Sequence, residues 1–113
     1  MKFANPYWSP RTRISMLQRW LIVHSILYYE LDNSVVSDKM FDSNAKQLVA
    51  MQYDYPEDAQ ESQYYYVFYD FDGSTGFDLF DRLTDEDKEY LKKIAIFVLS
   101  NNNNGRSKRE TKR

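Results

Sequence analysis

The sequence contains no cysteine, one histidine, three prolines and three glycines in 113 residues. The absence of cysteine excludes disulfides and thiolate metal sites. A single histidine, His24, excludes a zinc centre built on several imidazoles. No apolar run is long enough to span a bilayer, and residues 1–6 lack the apolar stretch of a secretion signal. A cytoplasmic protein without membrane contact is the expectation.

Aromatic residues are abundant: ten Tyr, seven Phe and two Trp. A domain this small cannot hide them all, so some tyrosines are expected on the surface, where they favour contact with a partner. Charge is unevenly spread. Residues 101–113 carry five basic residues against Glu110, a net of +4, so a chain total of −2 leaves −6 on residues 1–100. An acidic body disfavours broad contact with nucleic-acid phosphates. The segment 101–113 opens with four asparagines and a glycine and has almost nothing apolar. It reads as a disordered basic tail, able to touch nucleic acid or an acidic partner, after one domain over 1–100.

The periodicity is helical. Ser9-Pro10 suits a helix start, with Ser as N-cap and Pro in the first turn. Ile14, Leu17, Leu21, His24 and Tyr28 then mark a wide apolar stripe on a helix ending near Leu31 or Asp32. Asn33 and Ser34 suit a turn. Ser37 can cap a second helix, with Asp38 favouring its positive end, and Met40, Phe41, Ala45, Leu48 and Val49 form its buried side. That helix should finish before Pro56. Residues 57–69 read as a helix with a wet aromatic side, and a short strand through Tyr64-Tyr65-Tyr66-Val67-Phe68-Tyr69 is the alternative. Asp72-Gly73 and Thr75-Gly76 read as turns in which glycine takes positive φ. Thr84 with Asp87 three residues on approximates a capping box for a last helix that ends near Ser100. The fold class is therefore mostly all-α: a small helical domain with an antiparallel hairpin.

One stretch carries more than packing information. Tyr28-Tyr29 is followed by Leu31-Asp32 and then by Asp38-Lys39-Met40-Phe41-Asp42. Over about residues 15–50 this order and spacing resemble the small N-terminal Ia domain of NAD-dependent DNA ligases, where a tyrosine pair ends one helix and an Asp-x-x-Tyr-Asp motif opens the next. The resemblance implies a helical hairpin that grips the nicotinamide mononucleotide half of NAD. Carried over by position, the candidate cofactor-binding residues are Tyr28, Tyr29, Asp38, Phe41 and Asp42. Their chemistry suits the task. Aromatic faces can stack on nicotinamide, and carboxylates can accept from ribose hydroxyls and oppose the positive ring. Asp38 and Asp42 are four apart and share a helix face.

The chain also departs from the pattern. Phe41 stands for the family tyrosine, and the absent hydroxyl bond is worth about 1–3 kcal/mol in a small polar site. Ser34 and Ser37 stand where ligases often have proline. The ligase Lys-x-Asp-Gly nucleophile has no counterpart; the nearest string is Asp70-Phe71-Asp72-Gly73, and an aspartate cannot act as that amine. No enzyme activity is expected. Small free-standing proteins of this look are encoded by bacteriophages and prophages, which implies an accessory protein in a bacterial host cell.

Two function classes follow. One is a non-catalytic phage or prophage protein that binds a host or phage protein through an acidic surface rich in Tyr64, Tyr65, Tyr66 and Tyr69. The other is a binder of NAD or nicotinamide mononucleotide through the ligase-like site. Asp70, Asp72, Asp78 and Asp81 form a poor calcium-loop match, lacking glycine at the sixth position and glutamate at the twelfth, and would repel one another without a cation or a basic partner. His24 has no evident nucleophile to serve and reads as a satisfied helix histidine.

Overall fold

The computed structural model describes residues 8–106, except Thr75 and the side chains of 103–106. The described residues form α1 (Pro10–Ser25), a π-helical turn (Ile26–Glu30), α2 (Asp38–Asp54), α3 (Pro56–Gln60), α4 (Tyr65–Phe68), α5 (Leu79–Arg82) and α6 (Asp85–Arg106). No strand occurs among them, so the aromatic run 64–69 is turn and short helix rather than sheet.

The caps are those that the residue types dictate. Ser9 Oγ accepts from Thr12 N at 3.2 Å, with Pro10 in the first turn of α1. Ser37 Oγ accepts from Met40 N at 3.0 Å, with Asp38 in the first turn of α2. Thr84 Oγ1 accepts from Asp87 N at 3.1 Å ahead of α6. The last helix runs past its expected end near Ser100. The ladder of α6 runs past Leu99 through Asn101–Asn104 to Arg106, because extending an existing helix needs only one new bond per residue. Residues 107–113, which hold most of the basic tail, lie outside the described residues.

α1 and α2 form the expected hairpin, and α6 packs across α1 and the π turn. Ile14, Leu17, Leu21, Ile22, Ile26 and Leu27 supply the first wall of the core, Ala45, Leu48 and Met51 the second, and Leu91 and Ala95 the third. Tyr64, Val67 and Phe68 close the end formed by α3 and α4.

One polar group runs through this core. Gln18 is fully buried, and its Nε2 donates to Ser62 Oγ at 2.8 Å and to Gln52 Oε1 at 3.1 Å. Gln52 Nε2 in turn donates to Phe68 O at 3.1 Å, and Ser62 Oγ donates to Ala59 O. Four segments (α1, α2, the turn after α3, and α4) are thereby tied by one amide chain, and a buried network of this kind fixes register because a misaligned partner leaves polar atoms unpaired. Gln18→Ala is expected to destabilise the fold by about 1–3 kcal/mol in urea unfolding, since Gln52 and Ser62 lose their shared donor; an unchanged midpoint would show that the network contributes nothing.

Candidate functional site

The hairpin turn is built to face two aromatic side chains outward. α1 keeps its i−4 ladder to Ser25, and then the ladder slips to i−5, with Leu31 N donating to Ile26 O at 3.0 Å. Asn33 N closes the turn on Leu27 O at 2.8 Å, and Asp32 adopts a left-handed φ of 54°. Aspartate tolerates that region better than most residues. Ile26 and Leu27 are buried, whereas Tyr28 and Tyr29, the next two residues, are 52% and 43% exposed. Tyr28 is therefore not a core aromatic. The two rings meet edge to face with centroids 4.8 Å apart.

Tyr28, Tyr29, Asp38, Phe41 and Asp42 all line one open cavity of about 280 Å³. The first two come from the π turn and the last three from one face of the first two turns of α2. The connecting loop adds Ser34, Val35, Val36 and Ser37, and Ser34 Oγ is held by donating to Val36 O at 2.9 Å.

His24, Ser74 and Gly76 also line the cavity, and none of the three was legible as a site residue in the sequence. His24 lies one turn before Tyr28, with its ring 4.4 Å from that of Trp20. It is not a satisfied histidine: Nδ1 is buried without a hydrogen-bond partner, and burial lowers the pKa from 6.5 to about 4. The imidazole is thus neutral at neutral pH. Ser74 and Gly76 reach the cavity from the turn after α4, far away in sequence. Gly73 takes the expected positive φ of 83°, but Gly76 is needed for a different reason. A Cβ there would stand 2.8 Å from Phe41 Cζ and 3.1 Å from Ser25 Cβ. The turn lies directly on the Phe41 ring tip, and Phe77 beyond it packs edge-on to Tyr29 at 5.7 Å.

Residues 8–63 match the family of the DNA ligase-like, N-terminal NAD+-binding domain. The match bears out the resemblance and takes in all of α1, the π turn, α2 and α3. Comparison with curated proteins and with solved structures gives no match. Every position of the ligase-like motif lies inside the matched segment, while Ser74 and Gly76 lie beyond it.

The other candidates are arranged differently from the sequence expectation. The tyrosine cluster is not one surface. Tyr64 is 1% exposed and belongs to the core, because the turn before α4 points it inward beside Val67 and Phe68. Tyr66 is pinned: its hydroxyl donates to Asp87 Oδ2 at 2.5 Å and accepts from Thr84 N at 3.2 Å, joining α4 to the start of α6. Half-buried Tyr65 and exposed Tyr69 line a separate groove with Val49, Tyr53 and Phe71. The carboxylate crowd has its basic partner in Arg82. The guanidinium donates to Asp70 Oδ1 at 2.6 Å, to Asp78 Oδ2 at 3.2 Å and to Val67 O at 3.0 Å. Asp72 Oδ1 accepts from Ser74 N and Oγ, while Asp81 faces solvent. No group of three acidic or imidazole side chains among the described residues is placed to hold a metal ion. No helix among them is long and apolar enough to cross a membrane.

Two measurements check this geometry. Gly76→Ala is expected to cost about 1–3 kcal/mol by overpacking against Phe41, and the loss shrinks in a Phe41→Leu background, where the ring tip is gone; additive losses would show that the two residues do not meet. His24 sets a pH dependence. Its folded pKa of about 4 lies below the unfolded 6.5, so on acidification the unfolded chain takes up the proton first. Its contribution is complete above pH 6.5 and is lost as the pH falls toward about 4. Over that window His24→Phe should lose less stability than the parent protein, by up to about 3 kcal/mol in urea titrations; equal losses would overturn the assignment.

Proposed function

We propose that the chain binds the nicotinamide mononucleotide half of NAD in the cavity between the π turn and the start of α2, and that it does so without catalysing a reaction on it. The observation that carries this reading is the convergence of Tyr28, Tyr29, Asp38, Phe41 and Asp42 on one cavity. Five residues from two elements need not face a common space if they serve only as a helix end, a first-turn charge and a packing residue. The match of residues 8–63 to an NAD+-binding domain family supports the same ligand.

Size and chemistry agree with half a dinucleotide. About 280 Å³ is just below the ~300–1,000 Å³ of sites that enclose drug-sized ligands, which suits one ring with its sugar. The exposed edges of Tyr28 and Tyr29 offer aromatic surface to the nicotinamide ring. Asp38 and Asp42, one helical turn apart and both exposed, offer four carboxylate oxygens to ribose hydroxyls or the carboxamide. Phe41 contributes apolar floor, with its ring tip turned to Gly76 rather than to a ligand. Nothing in this set is placed as a nucleophile beside a base, so the reading is of binding alone.

Isothermal calorimetry with nicotinamide mononucleotide and with NAD tests the proposal. Binding is expected with both, and Asp38→Ala and Tyr28→Ala should each weaken it at least tenfold, a loss of about 1.4 kcal/mol or more. Absence of heat at millimolar ligand would overturn the reading.

A further inference from the structure

Taking the nicotinamide reading as its basis, we infer that this site recognises the N-ribosylpyridinium cation alone, and that the 5′-phosphate of the mononucleotide gains nothing from the described residues. The charges lining the cavity carry the inference. Its described lining holds two carboxylates, Asp38 and Asp42, and no lysine or arginine. A pyridinium ring brings the charge that this lining lacks, whereas a phosphate brings more of the charge already present. His24 does not alter the balance, since its imidazole is neutral at neutral pH.

Two features among the described residues could in principle receive the phosphate, and carboxylates stand beside both. The first is the positive end of α2, where free N–H groups ordinarily attract anions. Here Ser37 Oγ takes the Met40 N–H at 3.0 Å, and the Asp38 carboxylate sits in the same first turn. The second is Arg82, which lies beyond Ser74 in the adjoining cavity. Its guanidinium is held by Asp70, Asp78 and Val67 O, and Asp72 lines the same space, so that three carboxylates surround one cation there. The acidic body, −6 over residues 1–100, repels a phosphate in the same sense at longer range.

Calorimetry of the full chain with nicotinamide riboside, nicotinamide mononucleotide and reduced dihydronicotinamide riboside tests this. The riboside is expected to bind as tightly as the mononucleotide or up to severalfold tighter at low salt, with the difference narrowing as ionic strength rises. The uncharged reduced riboside is expected to bind at least tenfold more weakly than its oxidised form. Asp38→Asn with Asp42→Asn, both exposed and isosteric, should bring the oxidised and reduced ribosides closer together while leaving the circular dichroism spectrum unchanged. A mononucleotide that binds tenfold tighter than the riboside would overturn the inference and leave nicotinamide binding standing. Equal affinity for oxidised and reduced riboside would overturn the charge argument in the same way. Absence of binding by all three would overturn both this inference and the reading on which it rests.

Discussion

The site depends on a slip of one residue in a hydrogen-bond ladder. Two turns before Tyr28 and Tyr29 on the same spacing stand Leu21 and Ile22, both fully buried, yet both tyrosines are exposed. The i−5 bond from Leu31 to Ile26 widens the turn, and both rings emerge beside the start of α2. The turn is then locked from its far side, where Asn33 N reaches back to Leu27 O across a left-handed Asp32. Ser37 fixes where α2 begins, and so where Asp38, Phe41 and Asp42 stand. Two main-chain bonds and one cap therefore set the relative positions of five side chains.

That arrangement works against stability in places, and the rest of the fold offsets it. Two adjacent tyrosines are left exposed, an aspartate occupies a conformation better suited to glycine, and a buried imidazole lacks a partner on Nδ1. The compensation lies at the other end of the hairpin. There the Gln18 network ties α1 to α2 and the segments after it, over a core of leucine and isoleucine. Gln18 Oε1 within that network is itself buried without a partner, so unsatisfied polar atoms lie at both ends of the hairpin.

Elements defined by a local rule were legible in the sequence; those that depend on distant neighbours were not. Ser9-Pro10, Ser37-Asp38 and Thr84 with Asp87 are caps, and a cap is a property of three or four consecutive residues. The hairpin was equally readable from its helical periodicity, whereas the five motif residues came from the family resemblance, and the structure brings them onto one cavity. Tyr64 misleads, since a run of tyrosines carries no sign of which one turns inward. The aspartates of 70–81 left open whether a cation or a basic partner balances them, because their counter-charge, Arg82, reaches back to them only in the folded chain. His24 looked ordinary because the want of a partner on its ring is a fact of packing. The π turn left no local signal at all.

Gly76 shows most clearly where the motif alone is insufficient. The matched segment 8–63 carries all five motif residues, yet part of the cavity wall comes from Ser74 and Gly76. Without that turn, the Phe41 ring and the Trp20 ring beside it would face solvent, and the carboxylates of α2 would border an open groove in bulk dielectric. With it, the ring tip is covered by backbone at a distance that only glycine permits, and Phe77 extends the covered edge as far as Tyr29. The replacement of the motif tyrosine by Phe41 makes sense in this setting. A hydroxyl at that ring tip would meet the Gly76 turn, so the missing hydroxyl and the approach of the turn are two sides of one packing solution. The ring tip thus packs against Gly76 at the point where the motif tyrosine would carry its hydroxyl.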